Sequence, residues 1–312
     1  MTRDDDEDRT ASLMTPAKLA QLKPRPAASP AAYLDQLASD AGSVHVLRLA
    51  ELRGQIEPQA GEDGYAQCVA SLQAAAAGLD ALDFSLLQQN KGLFARMTGK
   101  GKSAGAEFVQ QYDHALEAFA AVRSKVQALA AAQQGRASAT ERALVEFEVE
   151  FRGIEKIIDQ GARWLQDMRN QLKARQAGAG GDEEALRKVK EDAARCELLV
   201  ARLKLLRATS SAAQQAHQLV QSTAARRAAL LQALQQRLAG DIKTWQGRMA
   251  PVASAAGDSG SPALSLEGPQ EAQRLLRQHI EEAVADCGQL QAQEQALADS
   301  VAALGAQLRA AM

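Results

Sequence analysis

No proline stands between Pro58 and Pro251. Proline removes a backbone donor and clashes with the preceding turn, costing about 3 kcal/mol inside a helix. Its absence from so long a stretch excludes a loop-rich fold there. Aromatic residues are equally scarce, 4% against 46% hydrophobic residues in all. Alanine buries little area, so slender, closely packed helices are expected rather than one thick core. A surplus of positive charge is lacking too: 36 basic residues face 38 acidic ones. That balance argues against general nucleic-acid binding, which needs a basic surface to neutralise phosphates.

The three cysteines, Cys68, Cys196 and Cys287, are far apart in sequence and form no CxxC or Cys/His cluster. They read as small buried hydrophobes rather than as a disulfide framework, which fits a reducing compartment. No apolar run approaches the roughly 18 residues that a membrane span requires. The start, MTRDDDEDRT, is acidic where a signal peptide would be basic and then apolar. These features predict a cytoplasmic protein, with peripheral attachment to the inner face of the cell membrane left open. His45, His114, His217 and His279 lie in separate segments without metal-ligand spacing, so no metal site is expected. No serine or cysteine has a nucleophile elbow or a base beside it, and no catalytic residue or cofactor site is assigned.

What fills the space is helix. The predicted fold class is all-α: an elongated antiparallel helical bundle or coiled coil with long helices and a disordered N-terminus. Residues 1–30 combine the acidic run with Pro16, Pro24, Pro26 and Pro30, a composition that predicts a disordered tail. Short helices are expected over 31–82, a long-helix bundle over 83–250, a flexible linker over 251–268 and a C-terminal helix over 269–312. Within the bundle, Phe108, Tyr112, Ala115, Phe119, Val122, Val126 and Leu129 step by alternating fours and threes. That heptad seam sets one stripe against a partner helix. Gly135 then predicts a break, with Ser138 and Glu141 as a capping box for the next helix. A second seam follows from Leu144 through Phe147, Phe151, Ile154, Ile158, Leu165 and Met168 to Leu172, so 106–172 reads as a helical hairpin. GAGG at 178–181 and Asp182 predict the next turn and N-cap. The third long helix, about 182–249, turns polar around Ser210, Ser211, Gln214 and Gln215, where a bend or a change of partner is expected.

One segment invites function: NKGLFARMTGKGKSAG, residues 90–105. As a phosphate loop it fails, because Arg96 stands where the first glycine is needed and no strand precedes it. It reads first as a solvated basic turn. The sharper reading is a contact with an anionic membrane surface through Lys91, Phe94, Arg96, Lys100 and Lys102, the aromatic ring inserting while the cations meet headgroups.

The stretch LDALDFSLLQQNKGLFARMTGKGKSAGAEFVQQYDHALEAFAAVRSKVQAL, residues 79–129, resembles the TelA-like toxic anion resistance family of bacterial proteins. The likeness lies in an apolar strip, a glycine-phenylalanine basic turn, and a helix with a Tyr-Phe-Val seam. Glu141, Phe147 and Trp164 fall where that family has a long acidic-hydrophobic helix, and Leu231 to Met249 with Trp245 is similar to its apolar helix that reaches a tryptophan. Gln214, Gln215 and Gln221 stand where many members carry asparagine pairs, which suggests a divergent branch. The resemblance implies a non-enzymatic helical scaffold contributing to tellurite resistance or to the envelope stress response. Its partners would be other proteins met through coiled-coil helices, including further copies of itself, and an anionic membrane. It carries over no catalytic residue. The alternative is a structural coiled-coil adaptor or filament-type protein with no role in anion resistance. Direct thiol chemistry on the oxyanion would favour clustered cysteines of low pKa, and the sequence spacing shows no cluster.

Overall fold

A computed structural model of the chain describes residues 30–56, 62–88, 100–257 and 265–312. These residues are helical, with no strand among them. In order they form α1 (Pro30–Asp40), α2 (Ser43–Ile56), α3 (Glu62–Asp80), the short α4 (Ser85–Gln88), α5 (Lys100–Gly178) and α6 (Glu183–Gln232). A π-helical stretch, Ala233–Leu238, leads into α7 (Ala239–Gly257), and α8 (Glu267–Ala311) closes the chain. The all-α expectation holds. The disordered tail expected from the sequence lies, up to residue 29, outside the described residues.

Both seams of α5 are buried as their spacing requires: Phe108, Ala115 and Phe119 in the first, Phe147, Ile154 and Leu165 in the second, are at most 5% exposed. The predicted break between them is absent. Helix α5 runs 79 residues without interruption, about 120 Å at 1.5 Å per residue. A helix-interior glycine costs only about 1 kcal/mol relative to alanine. The alanines and glutamines that flank Gly135 outweigh that cost, and the helix continues through Ser138 instead of starting there. The hairpin forms later in the chain. Gly180 and Gly181 take positive φ values of 49° and 99°, a conformation that only glycine adopts cheaply. Asp182 Oδ1 then accepts from the Glu184 and Ala185 amides at 2.9 and 3.2 Å, the predicted N-cap.

The described chain divides into two units. The first comprises residues up to Val44, Gly153–Ala208 and Ala311. There α5 and α6 run antiparallel: Arg175 pairs with Asp192 at 2.7 Å and Arg169 with Glu197 at 3.4 Å. Gly161, the weak slot of the second seam, admits the Leu203 side chain, since a Cβ there would lie 2.9 Å from it. Arg202 Nε fastens α1 by donating to the Ala41 carbonyl at 3.0 Å.

The second unit holds His45–Arg152, Thr209–Ala310 and Met312. Its core unites α3, the start of α5, the end of α6, α7 and α8 around fully buried Trp245, which packs against the Tyr112 and Phe119 rings. The division falls between Ala208 and Thr209, at the head of the polar stretch of α6, where the sequence predicts a change of partner. The helical irregularity lies elsewhere. Leu230, Leu234, Leu238 and Ile242 are buried at three successive four-residue steps, one residue more than a heptad allows. The i→i+5 turn over Ala233–Leu238 absorbs that residue and keeps Trp245 on the seam.

The linker expected from 251 does not begin there. Helix α7 continues through Pro251 to Gly257. Burial of Val252 and Ala253 in the core offsets the hydrogen bond that proline forfeits.

Candidate functional site

Of the basic segment singled out by sequence, Lys91, Phe94 and Arg96 lie outside the described residues. Lys100 and Lys102 do not belong to a turn: they fall in the first helical turn of α5, which carries no acidic residue. The free N–H groups of a helix start already carry partial positive charge, and two lysines there add to it. Gly105, counted in the sequence as part of the turn, serves packing instead. A Cβ on it would lie 2.1 Å from the Ala256 carbonyl oxygen, so its missing side chain is what lets α5 and α7 touch.

The groups with the most distinctive environments lie deeper, and sequence spacing did not bring them together. Glu294 occupies a seam slot of α8 between Leu290 and Leu297, and Arg227 Nε donates to its carboxylate at 2.6 Å. Both side chains are largely buried, 17% and 11% exposed for Arg227 and Glu294. The Tyr65 hydroxyl on α3 accepts from Gln133 Nε2 at 3.2 Å and lies within the fields of Arg227 and Glu294. Burial, reinforced by the Glu294 charge, pushes the Tyr65 hydroxyl up to about 12. Arg227 Nη2 and Thr223 Oγ1 are buried here without a partner among the described residues.

Three residues along α3 from Tyr65 stands Cys68, which shares one hydrophobic cluster with Cys287 of α8. All three cysteines are buried, as expected. Interaction with Cys68, and burial, raise the Cys287 thiol far above its ordinary value.

His217 sits in the polar stretch of α6, 7% exposed, with its ring 5.6 Å from that of Phe151 and Nε2 4.0 Å from the Glu148 carboxylate. Burial lowers its pKa below 6.5, against an opposing pull from Glu148. A folded-state pKa below the unfolded one means that the unfolded chain takes up the proton first. The stability from neutral His217 is complete above 6.5 and is lost as pH falls through the lower folded value. In denaturant melts taken above and below 6.5, wild type should lose stability towards acid more steeply than His217→Gln. Parallel pH profiles would refute this.

Among the described residues, no group of three or more His, Cys, Asp or Glu is placed to hold a metal ion. None of their helices is long and apolar enough to cross a membrane. The wider π turn borders a groove of about 260 Å³ in the second unit, with Leu234, Leu238 and Val126 as floor and Arg123 and Gln127 at its edge. It is below the usual range of ligand pockets, roughly 300–1,000 Å³. The chain's surface also carries apolar side chains: Val145 and Val149 of α5 are 67% and 61% exposed, and Leu47 of α2 is 53% exposed. A hydrogen bond between His45 Nδ1 and the Glu150 carboxylate (2.6 Å) and an ion pair between Arg48 and Glu146 hold α2 beside that stretch of α5. Compared with known proteins, the chain matches no family model, no curated protein and no solved structure.

Proposed function

We propose that this protein is a non-enzymatic helical scaffold that works by presenting helix faces to partner proteins. The observation that carries this reading is three exposed apolar side chains, Leu47, Val145 and Val149, on two helices joined by the His45–Glu150 hydrogen bond and the Arg48–Glu146 ion pair. Val145 and Val149 lie one turn apart, opposite the buried Phe147–Phe151 face of the same helix. A helix with one face in the core and apolar residues on the other is suited to a second partner. Tellurite or other oxyanion stress is the setting that the resemblance to the TelA-like family implies. The lysines at the start of α5, with Lys91, Phe94 and Arg96 before them, are suited to an anionic inner membrane surface.

Growth on tellurite tests the setting. A deletion strain should be several-fold more sensitive than its parent, and wild-type protein should restore resistance. Val145→Lys with Val149→Lys, folded by circular dichroism, should not. Equal growth of the deletion strain and its parent would overturn the oxyanion setting, and full rescue by the double variant would overturn the docking face. Co-sedimentation with phosphatidylglycerol vesicles tests the membrane clause: wild type should pellet, and a variant with Lys91, Arg96, Lys100 and Lys102 changed to glutamine should stay in solution. Equal, negligible pelleting of both would overturn it.

A further inference from the structure

The second seam of α5 has one gap. Ile154, Ile158, Leu165, Met168 and Leu172 are buried at heptad spacing, and Gly161 holds the slot between Ile158 and Leu165. Apart from proline, glycine is the residue that a helix interior favours least, and a leucine there would continue the seam. The neighbours do not fill the gap. Leu203 of α6 reaches the bare backbone of Gly161, yet a pocket of about 340 Å³ remains beside it. Ile157, Leu199, Leu203 and, from α1, Leu37 line it with aliphatic groups. The half-buried Trp164 ring and the exposed Gln160 bring its only polar side-chain groups. All of these residues belong to the first unit. The α1 wall is held on either side of Leu37: Asp35 pairs with Arg195 of α6 at 3.2 Å, and the Ala41 carbonyl accepts from Arg202 Nε at 3.0 Å. A ligand entering a pocket already built in this way spends little of its binding energy on ordering the walls.

We propose that this pocket is a binding site for a neutral, mainly apolar molecule the size of two fused rings, with one hydrogen-bonding group for Gln160. The size follows from the volume, which lies within the range of small-molecule sites, roughly 300–1,000 Å³. At the ~30 Å³ that a water takes in the liquid, the pocket holds about eleven atoms of that size. The neutrality follows from the lining, in which no residue carries a charge. An ion entering would shed its hydration without gaining a partner. The indole wall favours a ring laid against it in offset or edge-on contact, and the aliphatic side chains opposite favour any apolar surface. Gln160 offers both a donor and an acceptor, so a single hydroxyl or carbonyl on the ligand is enough to orient it. The gap at Gly161 is then the feature that makes room for the ligand, at the one seam slot where a larger side chain would close the pocket.

The indole N–H proton signals of the full chain, followed while 1-naphthol is added, read this out. The chain has two tryptophans, Trp164 in the pocket and fully buried Trp245 in the other unit, and Trp164→Phe assigns their signals. The Trp164 signal should shift to saturation at one naphthol per chain, while that of Trp245 stays in place. 1-Naphthoate, the same rings bearing a carboxylate, should bind about tenfold more weakly or worse. Gly161→Leu fills the pocket from α5 and Leu37→Phe from α1. Each variant, with wild-type helix content by circular dichroism, should weaken naphthol by about tenfold. A Trp164 signal that does not move, that moves without saturating, or that moves together with Trp245 would overturn the site. Wild-type affinity in both filled variants would overturn its location between α1, α5 and α6. Naphthoate bound as tightly as naphthol would overturn the neutral class of ligand.

Discussion

Gly105→Ala should cost about 3 kcal/mol of stability, a large penalty for one methyl group. The added Cβ would stand 2.1 Å from the Ala256 carbonyl oxygen, and the obstacle is backbone, not a side chain that swings away. Helices α5 and α7 must separate, and Val252 and Ala253 on the last turns of α7 lose part of their burial. Overpacking of this kind typically costs about 1–3 kcal/mol, and a rigid neighbour puts this site at the upper end. Helix propensity pulls the other way, because alanine is favoured over glycine by about 1 kcal/mol in a helix interior. Gly247→Ala isolates that opposing term. It lies inside α7 in open space, with no atom within 4 Å of where its Cβ would stand, so it should stabilise by about 0.5–1 kcal/mol. Urea unfolding of the two variants beside wild type measures both. If Gly105→Ala unfolds at or above the wild-type midpoint, the close approach of α5 to α7 is wrong.

The same glycine shows what the sequence could and could not reveal. Its neighbours Gly99 and Gly101 lend 90–105 the look of a turn, yet Gly105 stands inside a helix because of a partner that arrives about 150 residues later. Local periodicity revealed what depends on one helix alone. Both seams of α5 are buried residue by residue, since a stripe at helical spacing must face something apolar. Gly135 misled because its signal was local and weak, while the strong helix formers on either side acted over many residues. The π stretch was legible in principle: three four-residue steps from Leu230 to Ile242 cannot stay on one face of a regular α-helix. Cross-helix partnerships were not. Arg227 with Glu294, and Gln133 with Tyr65, depend on which helices are neighbours and in what register, and residue spacing carries neither. The candidate basic segment fared differently again, with Lys100 and Lys102 placed by a helix start and Lys91, Phe94 and Arg96 outside the described residues.

Glu294→Ala should destabilise the protein by about 3–5 kcal/mol. The substitution leaves Arg227 charged, largely buried and without its carboxylate, in a place where Nη2 already has no partner among the described residues. Removing both charges is a different experiment. Arg227→Met with Glu294→Leu fills the same slots with apolar groups and should be neutral or stabilising by up to about 4 kcal/mol, because desolvating the two ions costs as much as their attraction returns. What the ion pair contributes is therefore register, not net stability. On α8 the seam reads Leu290, Glu294, Leu297, Val301, Leu304, and without the charge one heptad slot resembles the next. In wild type Arg227 meets Glu294 alone of these positions, which fixes α6 against α8. The double variant should keep a high unfolding midpoint but unfold less cooperatively, with a shallower denaturant slope, as chains in shifted registers coexist. A double variant with wild-type slope would remove the register role. A single Glu294→Ala variant as stable as wild type would show that the pair is not buried as described.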